Sequence, residues 1–102
     1  MAASEAQTIA FALSAPIART DLQPLCDCLC GLVERTGAGV ALCDVSRLDP
    51  SAVTVDALAR LQLAARRRGC EVRLRRPSNE LRTLVEFMGL ADVLPQMPDR
   101  RD

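Results

Sequence analysis

Reactive side chains are concentrated in two short stretches of this 102-residue sequence. One is Cys26-Asp27-Cys28-Leu29-Cys30; the other is Asp44-Val45-Ser46-Arg47-Leu48-Asp49-Pro50-Ser51-Ala52-Val53-Thr54. Thiols can hold a soft metal, exchange disulfides or attack an electrophile. Here they fall short of a metal site: no fourth ligand accompanies them, the sequence has no His, and the spacing suits neither zinc knuckles nor fingers. Cys-x-Cys also lacks the spacing of a thioredoxin-like redox motif. On a helix Cys26 and Cys30 share a face while Cys28 points elsewhere. The expectation is small, apolar packing residues, with Cys28 the one thiol open to oxidation. Asp44 and Asp49 could be read as an acid–base pair. No nucleophile–base partner and no glycine-rich phosphate cradle accompanies them, so an enzyme is not expected. Thr54 stands where a helix begins, the place of an N-cap whose hydroxyl binds a backbone N–H.

The arginines form a third dense group: Arg60, Arg66, Arg67, Arg68, Arg73, Arg75, Arg76 and Arg82. A nucleic-acid patch needs a continuous basic face and usually a net positive charge. This chain carries 13 basic and 13 acidic residues, and it has no Trp or Tyr. Phe11 and Phe87 alone could stack on bases. No direct nucleic-acid contact is expected; the arginines read as a solvated helix end and strand face, or as contacts to an acidic protein. Every basic residue is Arg, a compositional bias without chemical meaning.

One domain fits this length, with a modest core. Hydrophobic residues make up 49% of the sequence, which argues against disorder. Residues 1–7 lack the basic start and apolar core of a signal peptide. No apolar run approaches the ~20 residues of a membrane span. A soluble, cytoplasmic protein without membrane insertion is expected. Five Cys is an odd number, and in that compartment the thiols stay reduced.

The elements that must carry these residues follow from periodicity. Thr8-Ile9-Ala10-Phe11-Ala12-Leu13 has strand character and turns at Ser14-Ala15-Pro16. Thr20 or Asp21 caps the next helix, Pro24 sits in its first turn, and Leu22, Leu25, Cys26, Leu29, Leu32 and Val33 recur at helical spacing. Gly37-Ala38-Gly39 ends it. Val40-Ala41-Leu42-Cys43-Asp44-Val45 reads as a central strand covered on both faces. Val55, Leu58, Ala59, Leu61, Gln62 and Ala65 form a second helix, finished by three arginines and the left-handed cap of Gly69. Residues 70–74 alternate as a strand with a solvated face or an edge position. Ser78 caps the last helix, whose inner stripe is Leu81, Leu84, Val85 and Met88, and residues 91–94 add a short strand or turn. The expectation is an α/β fold: a small, mostly parallel or mixed sheet of about four strands with three to four helices.

The order strand, acidic corner, helix, strand, helix over residues 42–94 carries two further runs. The first is Gly69-Cys70-Glu71-Val72-Arg73-Leu74-Arg75-Arg76-Pro77-Ser78-Asn79-Glu80-Leu81-Arg82-Thr83-Leu84; the second is the closing Glu86-Phe87-Met88-Gly89-Leu90-Ala91-Asp92-Val93-Leu94. Together these resemble a STAS domain, the module shared by sulfate transporters and anti-sigma factor antagonists. The resemblance covers residues 8–94, between a disordered N-terminus (1–7) and a flexible C-terminal tail (95–102), with one strand where the family starts with a strand pair.

The resemblance implies a non-catalytic regulator without cofactor or metal. Its partner would be an anti-sigma factor or related ATP-binding serine kinase, released when a serine at the start of the second helix is phosphorylated. A dianion in a buried contact patch acts by repulsion and desolvation. Asp44 matches the acidic strand end of the family, but the Asp-Ser-Ser-Gly-Leu-Gly type of corner is one residue short and has lost both glycines. Counting forward from Asp44 puts Thr54 at the acceptor position; counting back from Gly69 puts Val53 there. Thr54 is the first phosphoacceptor candidate and Ser51 the second. Asp44, Asp49, Asp56, Arg60 and Arg67 are the candidate partner contacts, with Leu58, Leu61 and Ala65 assigned to the core. The alternative is a non-phosphorylated scaffold subunit of a larger signalling or transport complex, which the missing Ser-Ser-Gly corner favours. A nucleotide held in a sheet-edge crevice ranks last.

Overall fold

The computed structural model describes residues 7–14 and 19–96. Six elements alternate along the described residues: β1 (Gln7–Ser14), α1 (Arg19–Thr36), β2 (Ala38–Arg47), α2 (Ala52–Arg66), β3 (Glu71–Arg75) and α3 (Asn79–Phe87). The sheet is parallel throughout, in the order β1-β2-β3. It is the α/β fold expected, with three strands rather than about four among the described residues. Residues 91–93 form turns, and among the described residues the only strand-like pairing beyond β3 is a single bridge from Leu74 to Gln96.

Each boundary has a local cause. α1 begins at Arg19, ahead of Thr20 and Asp21, so Pro24 lies inside the helix rather than in its first turn. Its end is tied by Thr36, whose hydroxyl donates to the Leu32 carbonyl (2.7 Å) and accepts from the Ala38 N–H (3.2 Å). α2 closes at Gly69, where φ is +76° and the Cys70 N–H returns to the Ala65 carbonyl (3.0 Å). Only a residue at ease in the left-handed region turns the chain there so tightly. α3 starts at Ser78, whose Oγ accepts from the Leu81 N–H (3.1 Å).

Right-handed crossovers between neighbouring parallel strands put their helices on one side. α1 packs on β2 and beside α2, α2 packs on β3, and α3 packs on α2. Ala41, Cys43 and Val45 of β2 and Val72 and Leu74 of β3 point into this layer and are buried. They meet Leu29 and Val33 of α1, Val55, Leu58, Leu61 and Ala65 of α2, and Leu81 and Val85 of α3. The other sheet face holds the rows Ala10–Leu42–Arg73 and Ala12–Asp44–Arg75, exposed on β1 and half-buried on β2 and β3. β2 is thus covered on one face among the described residues, not on both. A continuous apolar run does not say which side the crossovers will occupy.

One polar side chain closes the core. Gln62 is fully buried in the inner stripe of α2. Its Nε2 donates to the carbonyls of Val72 and Val93 (both 2.8 Å), and its Oε1 accepts from the Val72 N–H (2.7 Å). The amide takes the place of a fourth strand along the outer edge of β3, and the next outward group, the Leu74 N–H, donates to the Pro95 carbonyl (2.9 Å). The turn at Gly37 falls as expected, whereas the turn at 14–16 and the terminal segments 1–6 and 97–102 lie outside the described residues, Ser14 apart. Pro95 and Gln96, which begin the expected tail, are paired to β3.

Replacing Gln62 with leucine keeps the volume but leaves three buried backbone groups without partners. Gln62→Leu is expected to lower the unfolding free energy by about 3 kcal/mol, read from chemical denaturation, with Leu63→Gln on the exposed side nearly neutral.

Candidate protein-binding face

The corner between β2 and α2 is built by short-range hydrogen bonds and one buried anchor. Leu48 is buried beneath it, and its N–H returns to the Val45 carbonyl (3.1 Å). The Ser51 N–H donates to the Asp49 carbonyl (2.9 Å). Ser51 then caps α2 from an extended backbone (φ −132°, ψ 161°): its Oγ accepts from the Thr54 N–H (3.2 Å) and donates to Thr54 Oγ1 (3.1 Å). The cap is therefore Ser51 and not Thr54. Thr54 lies a turn inside with only 1% of its surface exposed, while Ser51 is half-buried and Val53 is 44% exposed. The two ways of counting the shortened corner thus meet in a physical difference. Val53 takes the outward position at the helix start, and Thr54 turns into the core.

From this corner α2 presents one outward stripe. Val53, Asp56, Arg60, Leu63 and Arg67 follow each other at intervals of three and four residues, and all are exposed. Leu58, Leu61 and Ala65 are buried on the other side, as the helical spacing required. Asp56 and Arg60 form an i,i+4 ion pair at 2.9 Å. Both ends are solvated, so the pair shapes the surface more than it stabilises the helix. The structure brings Asp56, Arg60 and Arg67 together on this stripe, with Asp49 at its amino-terminal end. Leu63, 53% exposed, and Val53 were missed by sequence reasoning. Leu63 stands three residues after Arg60, so the same helical spacing that placed Arg60 outward would have placed it there too. Beside the corner an open hollow of about 400 Å³ is lined by Pro50 and by Asn79, Glu80, Thr83 and Leu84 of α3.

Asp44 does not join this face. Its place in the register puts it on the open side of the sheet, beside Ala12 and Arg75. Ser46 lies against it with its hydroxyl and with its backbone N–H, the latter 2.9 Å from Oδ1, and Arg76 approaches to 3.7 Å. Hydrogen bonding from Ser46 is the main cause that holds the carboxyl below its ordinary pKa; burial opposes it, and the charges of Arg76 and Arg75 add lesser lowering. Arg76 reaches Asp44 from a left-handed backbone (φ 56°) just before Pro77. A smaller hollow of about 290 Å³ opens next to Asp44, between Ala12, Leu13, Ser46 and Arg47.

The cysteines are dispersed by the fold. Cys43 and Cys70 are buried, Cys26 and Cys30 half-buried, and Cys28 exposed, all as free thiols. Burial, reinforced by Asp44, pushes the Cys43 thiol up to about 12. Burial, then Cys30 and Asp27, raises Cys26 as well. High thiol pKa values make poor nucleophiles and poor ligands. Among the described residues no three His, Cys, Asp or Glu side chains converge on a point that could hold a metal ion, and no helix is long and apolar enough to cross a membrane. Several arginines are already engaged: Arg68 pairs with Glu34 (3.0 Å) and Arg73 with Glu71 (2.9 Å).

No family model matches this chain, and no curated protein does. Among solved structures, the fold is shared with the anti-sigma factor antagonist SpoIIAA in its unphosphorylated form. The two agree with a TM-score of 0.64 over 93% of this chain and 84% of that one, at 17% sequence identity. That likeness establishes the STAS-type α/β architecture.

The Asp44 environment has a pH signature. A carboxyl whose folded pKa is depressed adds stability above its unfolded value and loses it as pH falls through the folded one. Asp44→Asn is therefore expected to have a lower urea midpoint than the parent at neutral pH, with the gap closing on acidification below about pH 4. A gap that persists unchanged in acid would show that the carboxylate charge is not what Ser46 and Arg76 stabilise.

Proposed function

We propose that this chain is a non-catalytic, protein-binding regulator of the anti-sigma factor antagonist kind, acting in the bacterial cytoplasm on transcription. Its partner is an anti-sigma factor or related ATP-binding serine kinase. It binds through the outer stripe of α2, the corner that Ser51 caps, and the neighbouring end of α3. The observation that carries this is the stripe itself: Val53 and Leu63, two half-exposed apolar side chains, share a face with Asp56, Arg60 and Arg67 on a helix whose other side is sealed in the core. Apolar anchors with a charged surround are the anatomy of a protein-binding patch. The fold it shares with an anti-sigma factor antagonist supports the class of partner.

Of the two acceptor candidates, Ser51 fits a phosphoswitch better than Thr54. A kinase reaching the Thr54 hydroxyl would first have to open the start of α2. Ser51 lies at the surface, and a phosphate there would sit at a helix N-terminus, which favours a dianion. The helix would stay folded while the added charge, next to Val53 and Asp49, repelled a docked partner. Asp44, on the other sheet face, is a positioning contact for Arg76 rather than part of the patch. The buried Thr54 hydroxyl also favours a second reading, a constitutive scaffold subunit whose complex ignores ATP.

Capture of the partner from the native host on immobilised protein separates the two. Leu63→Asp and Val53→Asp should each weaken retention by about tenfold or more. Under the regulator reading ATP releases the partner, Ser51→Ala holds it in ATP, and Ser51→Asp fails to bind. Retention unchanged by Leu63→Asp, Val53→Asp and Ser51→Asp would remove α2 from the interface, and retention lost in the stripe variants but indifferent to ATP would establish the scaffold.

A further inference from the structure

The two edges of the sheet are finished in opposite ways. Along β3 the outward backbone groups are occupied, those of Val72 by the Gln62 amide and the Leu74 N–H by Pro95. Along β1, among the described residues, the only strand partner is β2. Natural edge strands are guarded by charges, prolines or irregular pairing. β1 reads Gln7-Thr8-Ile9-Ala10-Phe11-Ala12-Leu13-Ser14, without one charged residue or proline. Its register with β2 breaks between Gln7 and Thr8 and between Ala12 and Ser14, which leaves residues 8–12 as the regular stretch.

The helix layer is offset in the same direction. α2 packs over β3 and α1 over β2, and of the β1 residues whose burial is described only Leu13 is buried in the core. Ile9 and Phe11 of β1 and Leu22, Leu25 and Cys26 of α1 pack on the core yet stay half-buried. At the opposite flank Cys70, Val72, Leu74 and Leu94 are fully sealed. The core is sealed along β3 and only half-covered at Ile9 and Phe11 of β1.

We infer that the edge of β1 is the site where a second copy of this chain pairs, antiparallel across a two-fold axis, to make one six-stranded sheet. Self-pairing is what the residues at this edge fit. A strand without charge can stand opposite its own copy with no like-charge contact, and the small outward side chains of Thr8, Ala10 and Ala12 do not obstruct it. On the helix side Ile9 and Phe11 of both copies would lie together between the two α1 helices, which completes the cover that the single chain lacks. The α2 stripe stays outside this contact, so each dimer would offer two partner-binding faces. The inference stands apart from the proposed function.

Sedimentation velocity over a wide range of micromolar concentrations tests it. The parent should shift with concentration toward twice the chain mass. Ala10→Lys and Ala10→Glu each change an exposed side chain, so both should keep the parent's circular dichroism, and its melting curve at concentrations where the parent is monomeric, while running as monomers throughout. A one-to-one mixture of the two should return to dimer, because opposite charges then face each other across the axis. A parent that stays monomeric throughout, or variants that dimerise as the parent does, would overturn the inference. So would a monomer that becomes dimeric only when residues 1–6 are removed, since the chain's own N-terminus would then be the occupant of the edge.

Discussion

The buried amide of Gln62 is the interaction on which the other parts of this small fold depend. One side chain joins α2 to β3 and to the turn that follows α3, through three bonds of 2.7 to 2.8 Å. Among the described residues the sheet has three parallel strands, which leaves two edges to finish and little core beneath them. The amide finishes one edge as a further strand would, and it does so from within the apolar stripe of a helix. The rotation of α2 about its axis is fixed as a result: with Gln62 turned inward, Val53, Asp56, Arg60, Leu63 and Arg67 must face outward. The stability of the core and the composition of the exposed face are therefore set by the same contact.

Much of this architecture was legible because it rests on local patterns. The apolar run of β2, the alternation of β3, the serine before α3 and the glycine after α2 each announce an element by periodicity or by backbone chemistry. What escaped depends on pairing across the chain. Gln62 reads in sequence as one more member of a helical stripe, and nothing nearby announces that its partners lie 10 and 31 residues away. The open face of the sheet escaped because an apolar strand looks the same whether one layer of helices covers it or two. The fourth strand was replaced by a side chain and a single bridge, which no periodicity encodes.

The corner shows how fine the margin is at a candidate site. Thr54 and Ser51 were both visible as hydroxyls near a helix start. Which of them caps the helix depends on where the helix begins by three residues, the least legible property of any element. Once Ser51 takes the cap, Thr54 is carried into the core and Val53 outward. The outer stripe was read in part: Asp56, Arg60 and Arg67 were placed correctly as surface, while the apolar Leu63 among them was not singled out, because an isolated exposed leucine carries no signal until the rest of the face is known to be solvated. Asp44 matched a family position in sequence, yet the pleat turns it to the far side of the sheet, where it holds Arg76.

The central claim is that the outward stripe of α2 is where the partner docks. Photo-crosslinking in the native host tests it most directly, with a photoreactive side chain placed at position 63 and, separately, at position 12 on the open sheet face. A crosslink from position 63 to an ATP-binding protein, with none from position 12, is the predicted result. A crosslink to such a protein from position 12 alone would contradict it and move the interface to the face of the sheet that the helices leave uncovered.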